Sequence, residues 1–212
     1  MNVPNRLSLL RIILGPFFVA FFLIGQNWSI ITAIAIFIVA TVTDFLDGQI
    51  ARSTNQVTEL GKLLDPIADK LLVCFGLFLV VESRALVSDI IPIGVLSIGA
   101  ALIIGRELMI SIIRQIGAYK GVIIHANIFG KIKAVFQYIA IPLLMLLSLR
   151  DALIKISSDL YQILYWLTFV IFIIAVFFTV LSAIIYIVQN RSVFKSIENK
   201  KEDKPKEKTA TK

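Results

Sequence analysis

The sequence contains few charged residues, one cysteine and one histidine, and these shortages exclude several classes of protein. Charged side chains account for 17% of the 212 residues, whereas soluble globular domains carry about 25%. With 58% hydrophobic residues and a mean hydropathy of +0.90, the chain is neither a disordered protein nor an ordinary cytosolic enzyme. Cys74 has no second cysteine to pair with, which excludes a disulfide-rich secreted scaffold. The only histidine, His125, has no recognisable catalytic partner.

Long hydrophobic runs are what the sequence has in abundance. A membrane-spanning helix needs about 20 mostly apolar residues, and six stretches approach or exceed that length. They cover approximately residues 6–25, 28–51, 65–82, 89–114, 131–149 and 159–189. The sequence therefore predicts an all-α, polytopic integral membrane protein with six transmembrane helices.

The composition changes near residue 190 and suggests two regions. Residues 1–190 are expected to form one six-helix membrane domain, whereas residues 191–212 hold eight Lys or Arg against four Asp or Glu. Such a polar, basic segment cannot bury a core. We therefore expect a disordered cytoplasmic tail whose lysines lie near anionic lipid, and the absence of interleaved aromatic residues argues against binding to nucleic acid.

Lysine and arginine are distributed unevenly between the loops. If the N-terminus lies in the cytoplasm, the outer loops hold only Arg84, Arg150 and Lys155, and the other 18 of the 21 basic residues lie at cytoplasmic positions. Because cytoplasmic loops carry the excess of positive charge, the sequence predicts both termini in the cytoplasm. The expected location is the plasma membrane, with the active site facing the cytoplasm.

Four aspartates in or beside the second and third runs are the most informative charges. Asp44 and Asp47 are three residues apart and Asp65 and Asp69 four apart, so each pair would share one face of a helix. An acidic residue at the centre of a spanning helix costs about 2.5–3.5 kcal/mol. If residues 53–64 fold the chain back, the two pairs meet, and their mutual repulsion favours bound Mg²⁺ or Mn²⁺.

The segment between the two pairs contains small and basic residues that could line a binding site. Gly48 follows Asp47 and leaves room for a flat ligand near the backbone. Arg52 lies about one turn further on and could bind a phosphate through its forked guanidinium. Gly61 precedes Asp65 by about one turn and, because it has no side chain, makes the third predicted helix thinner at that point. Taken singly, each glycine is more often a turn or packing residue.

The stretch DFLDGQIARSTNQVTELGKLLDPIAD, residues 44–69, resembles the signature of the CDP-alcohol phosphatidyltransferases. It matches DxxDGxxAR-x8-GxxxDxxxD at all eight fixed positions. The resemblance implies a six-helix membrane bundle, usually a homodimer, with its site at the cytoplasmic side. It further implies two divalent cations, Mg²⁺ or Mn²⁺, held by Asp44, Asp47, Asp65 and Asp69.

The same resemblance implies roles for individual residues. Asp69 would also serve as the general base. The CDP part of CDP-diacylglycerol would meet Gly48 and Arg52, with Thr58 and Gly61 as further candidates.

Three basic residues further along the chain are candidates for binding the acceptor. Arg106 lies eight residues before Arg114, about 12 Å inside the membrane boundary, and Lys131 and Lys133 begin the fifth run. Arg106 is either structural, paired with Glu107 or an aspartate, or a ligand for a substrate phosphate. The two lysines are either ordinary cytoplasmic charge or, with Arg106, a site for a phosphate-bearing acceptor.

Three flanking motifs favour the phosphate-bearing acceptor. NVPNRLSLLR at the start, RE in the fourth run and GKIK before the fifth resemble the bacterial branch of the family that uses sn-glycerol 3-phosphate. Ala134 departs from the threonine that often follows GKIK. The implied reaction transfers the phosphatidyl group from CDP-diacylglycerol to sn-glycerol 3-phosphate, giving phosphatidylglycerophosphate and CMP.

Alternatives to this reaction remain. The acceptor could be another alcohol, such as phosphatidylglycerol in cardiolipin synthesis. A different class is an intramembrane cation transporter, although a cation path does not require Gly48, Arg52 and Gly61 at fixed spacing. The aspartates could also be helix-end charges that reach water. Asp44 lies eight residues before Arg52, about 12 Å along a helix, which is far for a short side chain.

Overall fold

A computed structural model describes residues 3–54, 59–86, 88, 90–119 and 128–190. Within these ranges the chain forms seven helices joined by turns and short connections, which confirms the all-α class. The helices are α1 (Val3–Ile24), α2 (Asn27–Thr54), α3 (Glu59–Ser83), α4 (Ile93–Tyr119), α5 (Ile128–Leu147), α6 (Arg150–Ile156) and α7 (Ser158–Gln189). The tail of residues 191–212 lies outside the described residues, as does His125.

Six of these helices correspond to the six predicted runs, but their ends differ. α2 continues to Thr54 and α3 begins at Glu59, so both helices extend into the segment expected to turn the chain. Asp65 and Asp69 therefore lie within a helix and do not open one. These helix ends are polar, so a prediction based on apolar runs did not include them.

The outer loop predicted at residues 149–159 contains the short helix α6, which the sequence analysis did not predict. α6 and α7 are separated at Ser157, whose backbone is extended. The Ser157 hydroxyl accepts a hydrogen bond from the backbone N–H of Leu160 at 3.3 Å. A serine in this position satisfies a donor that the first turn of a helix leaves free, so α7 starts here as a new helix.

Several helices have the length and composition of membrane spans. Within the described residues, Ile93–Gln115, Ile128–Leu147 and Ser158–Gln189 are long and apolar enough to cross a bilayer. Leu9–Ile24 and Asn27–Thr43 are shorter apolar helical segments. These features are those of a membrane-associated protein.

α7 shows the polarity expected of a helix in lipid. Its polar residues Thr168, Thr179 and Ser182 are buried against other helices, whereas Phe177 and Val188 are exposed, at 61% and 67%. The Thr179 hydroxyl donates to the Ala175 carbonyl at 2.7 Å. In lipid, small and polar residues at helix contacts permit close approach, and exposed apolar side chains such as these are compatible with a lipid surface.

The helices pack into one bundle around a shared core. α1 lies against α2 and α3, α5 has its largest contact with α7, and α4 contacts both α3 and α7. At the α4–α7 contact, a Cβ on Gly99 would lie 2.6 Å from the Phe172 ring, which is fully buried. Glycine at this position therefore sets the distance between the two helices. The resulting arrangement brings α3, α4 and α5 together around a cluster of charges.

Candidate active site

The predicted metal-binding residues lie on regular helical backbone. Asp44, Asp47, Gly48 and Arg52 belong to α2, and Gly61, Asp65 and Asp69 belong to α3. The side chains of residues 44–54 and 59–69 lie outside the described residues, as does Thr58 entirely. Among the described residues, no group of three or more metal-binding side chains occurs. The assignments to these positions therefore stay predictions, supported by the helical register of each aspartate pair.

The described part of the site is a cluster of four charged side chains centred on Glu107 of α4. Lys133 of α5 donates from Nζ to Glu107 Oε1 at 2.6 Å. Arg106 Nη1 lies 3.3 Å from Glu107 Oε2. Lys70 of α3 completes the cluster, with its Nζ 3.9 Å from Glu107 Oε2. One carboxylate thus contacts cations from three helices.

These charges are withdrawn from solvent to different degrees. The Lys133 side chain is fully buried and that of Arg106 is 9% exposed, whereas Glu107 and Lys70 retain 17% and 19%. Removing charges from water is costly unless each has a fixed counter-charge. Three cations surround one carboxylate among the described side chains, so this cluster carries an excess of two positive charges. Such an excess suits an anionic ligand.

The glycine of the GKIK motif makes room for Arg106. A Cβ on Gly130 would lie 2.9 Å from Arg106 Nη2, so the guanidinium rests against bare backbone at the start of α5. Its Nε is buried and has no hydrogen-bond partner among the described residues. Within the described part of the chain, the Nε–H group of Arg106 is therefore available to donate a hydrogen bond to a phosphate oxygen.

The two lysines of the motif separate onto different sides of α5. Lys133 is buried against Glu107, whereas Lys131 is exposed and does not join the cluster. Positions two apart on a helix point in nearly opposite directions. Of the three predicted acceptor residues, the structure brings together Arg106 and Lys133.

Sequence analysis missed Lys70 and the contact between Glu107 and Lys133. Lys70 directly follows Asp69, and a lysine that deep in an apolar run was an available signal. It also missed Gln137, which lies one turn after Lys133 on α5 and is 3% exposed. Its Oε1 has no hydrogen-bond partner among the described residues. Gln137 thus adds a buried polar group to the same face of α5.

The described residues thus define the class: an all-helical, membrane-associated protein with a largely buried cluster of basic side chains around one glutamate. The chain belongs to the CDP-alcohol phosphatidyltransferase family, whose model matches residues 1–181. Members of this family generally depend on divalent metal ions.

Three curated relatives share the name CDP-diacylglycerol–glycerol-3-phosphate 3-phosphatidyltransferase. The protein from Bacillus subtilis is 34% identical over 207 residues, covering 92% of this chain and 98% of the relative. The protein from Escherichia coli K12 is 40% identical over 146 residues, covering 68% and 76%. The protein from Pseudomonas fluorescens is 41% identical over 115 residues, so that match spans about half of each chain, 54% and 55%.

Proposed function

We propose that this protein transfers the phosphatidyl group of CDP-diacylglycerol to sn-glycerol 3-phosphate, releasing CMP and forming phosphatidylglycerophosphate. The observation that carries the proposal is the cluster of Lys70, Arg106 and Lys133 around Glu107. Its excess positive charge suits an acceptor that bears a phosphate better than a neutral alcohol. The names of relatives that match most of the chain support the same reaction.

The aspartates of α2 and α3 fit the divalent metal on which the family depends. Asp44, Asp47, Asp65 and Asp69 would hold two Mg²⁺ or Mn²⁺ ions, since carboxylate oxygens are the ligands that these hard cations prefer. Bound cations would neutralise the pyrophosphate oxygens and stabilise the departing CMP.

Residues of the chain bind and orient the two substrates. Gly48 and Arg52, with Thr58 and Gly61 as further candidates, would meet the CDP part of the donor. Arg106 and Lys133 would hold the acceptor phosphate, and Lys131 stays a sequence-based candidate for that role.

Asp69 would act as the general base in the transfer. It accepts the proton of the acceptor's primary hydroxyl as that oxygen bonds to the phosphorus attached to diacylglycerol. The bond from this phosphorus to the CMP oxygen then breaks. Asp69 immediately precedes Lys70 on α3, so one helix would connect the base to the acceptor cluster.

We further propose that α1, α2, α3, α4, α5 and α7 are six membrane spans and that both termini are cytoplasmic. α2 has 28 residues and α3 has 25, or about 42 and 38 Å of helix, more than the roughly 30 Å of hydrocarbon. In this orientation the Glu107 cluster faces the cytoplasmic half of the plasma membrane. Residues 1–190 would be the membrane domain of a homodimer, and residues 191–212 its tail.

The reaction can be tested by measuring CMP release from purified protein in detergent. CDP-diacylglycerol and Mg²⁺ or Mn²⁺ are supplied with one acceptor at a time: glycerol 3-phosphate, phosphatidylglycerol, inositol phosphate or serine. We expect glycerol 3-phosphate to be the only one of these acceptors that gives CMP release, and we expect EDTA to abolish that release. Release with a different acceptor would contradict the proposed substrate, and no release with any acceptor would contradict the proposed enzyme.

A further inference from the structure

Glu107 has an unusual position for a residue outside the predicted metal site. It is the single acidic side chain in the described cluster, and it touches cations from α3, α4 and α5. The Lys133 contact joins residues 26 positions apart in the sequence. A carboxylate so placed fixes three flexible basic side chains relative to one another.

The cations held by Glu107 retain donors for a ligand. An ammonium group has three N–H donors, and the described contacts of Lys133 use one, toward Glu107 Oε1. Arg106 uses Nη1 toward Glu107, while its buried Nε has no partner among the described residues. Among the described contacts, Glu107 thus orients both groups and leaves N–H donors that could bind an anion.

Building on the proposed function, we propose that Glu107 is a positioning residue for the acceptor phosphate. It holds Lys133 and Arg106 so that their remaining donors converge on a phosphate monoester. Lys70 is a further cation of this site, beside the predicted residues Arg106 and Lys133. Because Lys70 adjoins Asp69, the phosphate would be fixed relative to the general base.

A positioning role and a role in charge balance alone predict opposite changes in the KM for glycerol 3-phosphate when Glu107 is replaced. In Glu107→Gln the cluster gains positive charge but loses the carboxylate that orients it, because one of the two acceptor oxygens becomes an NH₂ donor. If Glu107 only offsets charge, the KM for glycerol 3-phosphate falls. If it positions the cations, that KM rises about 10- to 100-fold, the range expected for a lost charged hydrogen bond. The KM for CDP-diacylglycerol is expected to change less than about twofold, within the scatter of substitutions far from a binding site.

The experiment measures initial rates of CMP release for wild type, Glu107→Gln and Glu107→Asp, with each substrate varied in turn. Glu107→Asp retains the charge on a shorter side chain and is expected to give an intermediate KM for glycerol 3-phosphate. Glu82→Gln is the matched control, because Glu82 is exposed near the far end of α3. Thermal melting in detergent identifies a variant that has lost its fold, in which case the Glu107→Asp result decides.

A double variant tests whether Glu107 acts through Lys133. If it acts in part through Lys133, Glu107→Gln combined with Lys133→Gln raises the KM for glycerol 3-phosphate by less than the product of the two single effects, because residues in one network are not additive. Multiplied effects, or equal rises in both KM values, would overturn the positioning role. No CMP release from wild type with glycerol 3-phosphate would overturn the proposed function as well, so the two failures can be told apart.

Discussion

Lys133 is a buried structural residue to which the proposed function gives a second role. Its ammonium has no exposed surface and depends on Glu107 at 2.6 Å for a counter-charge. Removing one partner of a buried pair is usually costly, about 3–5 kcal/mol, because the other charge is left unpaired. A substrate phosphate would add a second counter-charge at this point, which couples ligand binding to the stability of the cluster.

The two lysines of the GKIK motif are expected to differ in their effect on the acceptor. Lys133→Ala removes a buried member of the cluster, and we expect the KM for glycerol 3-phosphate to rise about tenfold or more. Lys131→Ala changes an exposed side chain and should raise that KM much less. Steady-state kinetics of CMP release measure both. A larger effect from Lys131→Ala would contradict the placement of the acceptor at Glu107.

Asp69→Asn tests the general base. The amide cannot take the proton from the attacking hydroxyl, and loss of a general base lowers rates about 10²- to 10⁴-fold. We expect turnover to be lost while CDP-diacylglycerol binding stays detectable. Turnover is measured at saturating Mn²⁺, so that weaker metal binding is not the cause of the loss. Activity near the wild-type level would contradict the assignment.

At the level of helices, the sequence predicted which segments are helical better than where they end. Apolar composition identified six helices because lipid favours long apolar segments. It did not identify α6, a helix of seven residues that ends before the N-cap at Ser157. Helical period separates Lys131 from Lys133, but which of them faces inward depends on how α5 packs. The contact of Lys70 with Glu107 likewise depends on the packing of α3 against α4.

The contact between α4 and α7 predicts a difference between two glycines of one helix. Gly99→Ala places a methyl 2.6 Å from buried Phe172, and such overpacking costs about 1–3 kcal/mol. Gly94→Ala meets nothing within 4 Å and is the matched control, expected to be neutral or slightly stabilising. Melting temperatures in one detergent compare the variants. Equal melting temperatures would show that α4 and α7 are further apart than described.

At the scale of the whole molecule, the Glu107 cluster and the short helix α6 lie at opposite ends of α5. The Glu107 cluster lies between α3, α4 and α5, and the short helix α6 with Lys155 follows the opposite end of α5. A site toward one end of the bundle could take a water-soluble acceptor from one side of the membrane and a lipid donor from within it. The basic residues are most numerous on the side that the sequence predicts to be cytoplasmic, and the Glu107 cluster lies toward that predicted side.

The orientation can be tested with single cysteines, since the chain has only Cys74. In a Cys74→Ala background, Lys155→Cys places a thiol at an exposed position of α6, and Gln115→Cys places one at an exposed position near the end of α4. Because α5 would cross the membrane between them, a membrane-impermeant maleimide should label only Lys155→Cys in intact cells. Gln115→Cys and Thr209→Cys, in the tail, should react only after permeabilisation. The parent protein without cysteine is the labelling control. Labelling of Gln115→Cys in intact cells would contradict the proposed orientation, because it would place the Glu107 cluster away from the cytoplasm.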